Sequence, residues 1–449
     1  MNYFKNIILI LFILQANAIN LPAQYNPASP VPQMPRPPNP YSAIPTYGNM
    51  FGLEPRTNQN HAYPGQRQQN TGMEQYECDR MEAARRNEEF LRIMSESREI
   101  SYGLPSFETI SETEYYRQAA ETLLDMQKGK TPLSLKDAVF TVENAYFEGK
   151  LDKRQYGKHI DDLISIARSK AIEDKYSWNN NTVKNVMFFR LITDTLTIKL
   201  PLRERSVKSY PMQYDFEDIT GREDWTKMFV SKLLYTHSGQ CHSLPLLYLI
   251  LCEATGTEAY LACSPSHSYI KFKDETGSWH NVELTNGRFT TDAFITGSGF
   301  VTAEAIKSGL YMRPLSSRET VSACLTDLID GYVHKYGYDD FMSRYADSIL
   351  KYDETNRRAL MIKSNYKTLC VLNAVKQTGV QPDMGAIKKH YPRLYEMMEE
   401  SRELYRKIDA LGYREMPEAA YREWLEAANR EKERREHDRK YERIIQLLN

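Results

Sequence analysis

The chain has almost no surplus of either charge: 58 Lys and Arg stand against 59 Asp and Glu in 449 residues, a formal net charge of −1. That balance argues against a general nucleic-acid binder, which carries a basic excess to neutralise phosphates. Six cysteines in so long a chain are too few to build the fold from disulfides. Long apolar runs are scarce as well. Ile7 to Leu14 is continuously apolar, but this falls well short of the ~20 residues that span a bilayer. Lys5 precedes the run and the small-x-small triplet Ala16-Asn17-Ala18 follows it, so residues 1–18 read as a signal peptide. The expectation is an exported protein, periplasmic or extracellular, with no stable membrane span after signal cleavage.

Hydrophobic residues make up 41% of the chain, enough for a sizeable core and for two or three domains. Proline is concentrated early: 11 of 21 fall in residues 19–75, among Asn, Gln, Ser and Tyr, and this stretch reads as a disordered linker. Residues 76–205 read as a helical region. Ser134 with Asp137 resembles a capping box, and Val139, Val142 and Tyr146 then share a helical face. A second amphipathic stretch covers 153–167, and Asn179-Asn180-Asn181 separates it from a helix over 182–197. Residues 206–315 are richer in Gly and β-formers. They predict an apolar helix from Cys241 to Ala254, closed by Gly256, then strands over 258–263, 267–272 and 279–284. Residues 316–372 are helical again. Within them, Tyr345 to Asn356 followed by Arg357 to Leu360 resembles a tetratricopeptide turn. Residues 373–449 read as a charged helical tail in which Tyr421, Trp424 and Leu425 can dock, with no chemical role. The fold class is α+β.

The stretch Ser238-Gly239-Gln240-Cys241-His242-Ser243-Leu244-Pro245 is the one with chemical content. It places a cysteine after a glycine turn at the start of an apolar helix. Unpaired N–H groups and the positive end of the helix dipole there favour a thiolate. Cys252, Cys324 and Cys370 instead lie inside apolar helical patterns and read as core. A nucleophilic thiolate also needs a base and a group that orients the base. The two strands after the helix supply candidates. A hairpin turn centred near Glu275 sets His267 opposite Glu283 and Tyr269 opposite Asn281, with all four on one face. Ile270, Phe272, Val282 and Leu284 form the other, core face.

Three pieces, Gly239-Gln-Cys241, Pro265-Ser-His267-Ser-Tyr-Ile and Gly277-Ser-Trp279-His-Asn-Val-Glu283, together resemble the transglutaminase-like cysteine-hydrolase superfamily over about residues 225–300. The chain is also similar to bacterial proteins that follow such a core with tetratricopeptide-like helices, some of which lack the catalytic cysteine. The resemblance implies a papain-like helix-plus-antiparallel-sheet core, flanked by N-terminal helices and C-terminal helical hairpins. It implies a Cys241–His267–Glu283 triad acting through a thioacyl intermediate on amide bonds of a protein or peptide substrate, without a cofactor. Glu283 stands where Asp is usual, so an extra methylene has to be accommodated. Gln240, Asn281 and Asn286 are further candidates for oxyanion or orienting roles.

Other readings use the same residues. Cys241, His242, Cys263 and His267 offer zinc-binding residue types, although paired close spacings are missing. His242 is an alternative base, but adjacent helical residues point about 100° apart. Cys78 is the candidate partner for a disulfide that would remove the Cys241 nucleophile. A catalytically inactive peptide-binding or scaffold protein, with a protein partner for its helical C-terminal region, is the alternative function.

Overall fold

A computed structural model describes residues 70–97, 99–200, 205–378, 384–427 and 429–430. The signal-peptide and proline-rich segments expected over 1–75 lie almost wholly outside the described residues, as does the charged run from 431.

The chain opens with α1 (Asn70–Ser97), α2 (Thr113–Gln127), α3 (Leu135–Tyr146), α4 (Lys153–Glu173) and α5 (Asn181–Thr193). Local chemistry fixes several starts. The Ser134 hydroxyl accepts from Asp137 N at 3.2 Å, while the Glu253 carboxylate takes the N–H groups of Leu135 and Lys136. Asp152 and Asn180 cap α4 and α5 in the same way. The helix expected over 182–197 stops at Thr193. The sequence Leu196-Thr-Ile-Lys-Leu200 instead forms β1, paired antiparallel with β2 (Arg205–Ser209). Alternating β-branched residues win over helix there.

Next come β3 (Gln213–Tyr214), a 3₁₀ turn (Trp225–Met228), α6 (Val230–Thr236), β4 (Ser238–Gly239) and α7 (Ser243–Ala254). A four-stranded antiparallel sheet follows in the order β5 (Tyr260–Ser264), β6 (His267–Lys273), β7 (Trp279–Glu283), β8 (Arg288–Thr290). Loop amides of Met312 and Leu315 bond the carbonyls of Cys263 and Leu261, which closes the outer edge of β5. The remaining helices are α8 (Asp292–Thr296), α9 (Ala303–Lys307), α10 (Ser317–Tyr336), α11 (Asp340–Leu350), α12 (Arg357–Thr378), α13 (Met384–His390), α14 (Pro392–Ala410) and α15 (418–427). This mixture of helices and small antiparallel sheets is α+β. Among the described residues no helix is long and apolar enough to cross a membrane.

The chain divides into two compact units, each discontinuous in sequence. In the larger (107–337, 341–361 and 407–449), α7 is the centre. Leu244 and Leu246 to Cys252 are all buried, and the helix packs on α3, α4, α5 and α6 and on β5 and β6. A helix apolar all round is stable only in such a position. In the smaller unit, Ala374, Val375, Ile387, Tyr391, Leu394 and Met398 form a core over which Ile100 and Tyr102 pack. There the Gln377 side chain accepts from Ser101 N and donates to its carbonyl.

Candidate active site

The approach to Cys241 is built from short-range contacts. Strands β3 and β4 pair in parallel, Tyr214 against Gly239. A Cβ at Gly239 would sit 2.6 Å from Ser243 Oγ and 3.0 Å from the Leu233 side chain, so any other residue would have to displace Ser243. Ser243 Oγ accepts from Gln240 N at 3.0 Å, closing the turn. The Gln240 amide nitrogen donates to the carbonyls of Glu217 (3.2 Å) and Asp218 (3.0 Å). Its NH₂ therefore holds the 215–218 loop. Cys241 lies in the turn ahead of α7, which begins at Ser243 instead of at Cys241 as expected. The helical partner of its carbonyl would be the nitrogen of Pro245, which has no N–H, and the Ser268 hydroxyl on β6 donates to that carbonyl instead.

His267 opens β6 directly after Ser266, a residue with φ of +55° whose carbonyl oxygen lies 3.9 Å from Cys241 Sγ. The β6–β7 register differs from expectation. Ile270 pairs with Val282, Lys271 with Asn281 and Lys273 with Trp279. Extended, this register sets Tyr269, not His267, level with Glu283. Lys273 stays in the strand, its ammonium 4.9 Å from the centre of the Trp279 ring. Asp274 caps the loop by accepting from the N–H groups of Thr276 and Ser278, so the turn centres on Thr276. His267 and Glu283 are consequently diagonal neighbours, and diagonal positions are ~7–8 Å apart. The longer glutamate still reaches: His267 Nε2 is 2.6 Å from Glu283 Oε2. The extra methylene is what the diagonal needs. Glu283 Oε1 accepts from Thr285 N at 2.9 Å, which fixes the carboxylate.

Both partners are almost fully buried, His267 at 6% and Glu283 at 1% exposure. Burial alone would push the His267 pKa down, but the Glu283 charge and the nearby Cys241 outweigh it and raise it to about 10. Burial alone would raise the Cys241 thiol, yet the interaction with His267 and a hydrogen bond from Tyr421 bring it below its ordinary value. The pair therefore leans toward thiolate and imidazolium. Cys252 and Cys324 go the other way, with burial holding their thiols well above the ordinary range.

Tyr421 is the residue that sequence reasoning missed. The tail does carry a chemically placed group: Tyr421 Oη lies 3.0 Å from Cys241 Sγ and 3.4 Å from His267 Nδ1. It is 2% exposed. Trp424 stands edge-on to the His267 ring at a centroid distance of 4.8 Å and packs on Phe294. The only hint in the sequence is an apolar Tyr-x-x-Trp-Leu set at helical spacing within a charged tail.

The other candidates are placed as follows. Asn281 Nδ2 donates to Asp292 Oδ1 at 2.7 Å and does not orient His267. Asn286 belongs to the turn from β7 to β8, and its amide atoms are buried without a hydrogen-bond partner. His242 turns to Asp327, Nε2 to Oδ2 at 3.1 Å, and Asp327 is held in turn by Arg358. That commitment removes His242 as the base. All six cysteines are free thiols. Among the described residues no group of three or more His, Cys, Asp or Glu is arranged to hold a metal ion.

Comparison with protein-family models, with curated proteins and with solved structures finds no match to the chain. The functional reading therefore rests on the site itself. A depressed thiol, an imidazole with a raised pKa and a carboxylate fixed on its far nitrogen together can deliver a thiolate to an electrophilic carbon and return a proton to a leaving group.

Proposed function

We propose that this protein is an exported, transglutaminase-like cysteine hydrolase or acyltransferase acting on amide bonds of peptides or proteins. The observation that carries the reading is the grouping of Cys241, His267 and Glu283: Glu283 holds Nε2 of the imidazole at 2.6 Å, and Nδ1 is turned to the Tyr421 hydroxyl, which itself lies 3.0 Å from Cys241 Sγ. The Cys241 thiolate attacks the acyl carbon and forms a thioester. The His267 imidazolium gives its Nδ1 proton to the departing amine. Glu283 stabilises the imidazolium and fixes its orientation. N–H groups at the helix start, including that of Cys241, receive the oxyanion. His267 then takes a proton from water, which releases the acid, or from an acceptor amine. One observation favours the alternative of an inactive peptide-binding or scaffold module: Cys241 is only 8% exposed.

The test is the pH profile of Cys241 alkylation by iodoacetamide, read by peptide mass spectrometry in wild type and His267→Ala. An ordinary cysteine has its midpoint near pH 8.5. A midpoint well below that in wild type, moving up in His267→Ala, is expected. An ordinary midpoint indifferent to the substitution would remove the enzyme reading and leave the binding module.

A further inference from the structure

We propose that helix α15 is an autoinhibitory lid, with Tyr421 filling the position of the substrate's reacting group, so that the enzyme turns over only when α15 leaves. This rests on the cysteine-hydrolase reading of the site. In that mechanism the acyl carbon must come within about 3–3.5 Å of the thiolate. The leaving amine must take its proton from the imidazole nitrogen that faces the thiol. A single hydroxyl occupies both places: Tyr421 Oη is 3.0 Å from Sγ and 3.4 Å from Nδ1. The other nitrogen is taken by Glu283. Trp424 packs against the imidazole with ring centres 4.8 Å apart, and Leu425, one residue on, is 1% exposed. No amide can approach Cys241 along that line while α15 is docked.

The hydroxyl is suited to capping a charged pair. Burial pushes the Tyr421 pKa well above its ordinary value, so the group stays O–H. It can accept from an imidazolium Nδ1–H and donate to a thiolate without discharging either. The segment is also hung so that it can swing. The chain before it is tied to the body: Thr302 Oγ1 donates to the Gly412 carbonyl at 2.8 Å, and Ser308 Oγ to that of Leu411 at 2.9 Å. Residues 413–417 have no regular structure; Arg414 and Pro417 are exposed, while Tyr413 packs under Arg357 and Met416 is buried, so the swing pivots after Tyr413 and takes Met416 out with the helix. On the outer face α15 is latched by an exposed Arg222–Glu418 pair at 2.6 Å, and exposed pairs hold weakly.

The experiment uses the full chain and iodoacetamide at neutral pH, with Cys241 and the exposed Cys78 quantified in the same tube. In wild type, Cys241 should react at least about tenfold more slowly than Cys78, because its alkylation waits on local opening. Trp424→Ala with Leu425→Ala should raise the Cys241 rate at least about tenfold while Cys78 is unchanged. Cys252 and Cys324, buried in α7 and α10, must stay unreactive in that variant, which shows that the body is folded. If the variant unfolds, the wild-type ratio carries the test alone. A wild-type Cys241 as fast as Cys78, or a folded variant with no gain, overturns the lid. Tyr421→Phe keeps the ring, so Cys241 should stay as protected as in wild type while its midpoint moves up with the lost hydrogen bond; a Cys241 rate in Tyr421→Phe as high as that of Cys78 would overturn the lid. Rate and midpoint separate the two claims. A gain in rate with an ordinary midpoint keeps the lid and removes the hydrolase, and a fast wild type with a low midpoint does the reverse.

Discussion

Glu283→Gln removes one charge from the line of groups behind Cys241, and the structure gives the size of the effect. The His267 imidazole is raised from 6.5 to about 10, which at 1.36 kcal/mol per unit is about 5 kcal/mol of preference for the imidazolium. Glu283 and Cys241 share that preference, against burial. An opposite charge in contact typically shifts a group by about 1–3 units. Glu283→Gln should lower the His267 pKa by that much and move the onset of the Cys241 thiolate to higher pH. A second cost is structural. The carboxylate accepts from His267 Nε2 and from Thr285 N. With its oxygen on Thr285 N, the amide turns its NH₂ to Nε2, which a neutral imidazole accepts but an imidazolium opposes with its own N–H; the charged form then loses a hydrogen bond, a cost of about 1–3 kcal/mol. A domain of ordinary stability, about 5–15 kcal/mol, survives that loss. The stability profile should change with it. The folded imidazole holds its proton more tightly than the unfolded one, so its contribution is complete below pH 6.5 and is lost as pH rises through about 10. In Glu283→Gln the loss should come at lower pH. The assay is the ultraviolet thiolate absorbance of wild type and Glu283→Gln against pH, each referenced to its Cys241→Ser counterpart, with urea unfolding in parallel. A thiolate onset that does not move in Glu283→Gln would refute the coupling.

Two further predictions concern the scaffold. The buried Glu143 carboxylate accepts from the N–H groups of Val230 and Ser231 at the start of α6, and burial raises its pKa from 4.5 to about 7. The folded state then binds the proton more tightly, so stability should fall by about 3 kcal/mol as pH rises from 4.5 to 7; Glu143→Gln should flatten that slope in thermal unfolding, and an unchanged slope would show that Glu143 is not its source. Gly239→Ala places a Cβ 2.6 Å from Ser243 Oγ and should cost about 1–3 kcal/mol by overpacking. In a double-mutant cycle with Ser243→Ala, measured by urea unfolding, that penalty should shrink, and full additivity would place the strain elsewhere.

The sequence alone determined whatever depends on near neighbours. Ser134, Asp152 and Asn180 are capping side chains placed before helical periods, and each caps a helix. Alternation along 267–273 and 279–283 forms two strands, because a period of two buries one face whatever the partner. The position of Cys241, after a glycine turn and next to an apolar helix, was equally legible. The tertiary structure decided what depends on distant groups. The β6–β7 register is two residues away from the one that turn length suggested, because the Asp274 side chain caps the loop and Lys273 remains in the strand. That turned His267 and Glu283 into a diagonal pair, which a glutamate spans. Tyr421 is separated from Cys241 by 180 residues. Nothing local distinguishes a tyrosine that covers an apolar surface from one whose hydroxyl meets a thiol. That difference exists only once packing has brought α15 onto the start of α7 and the end of β6.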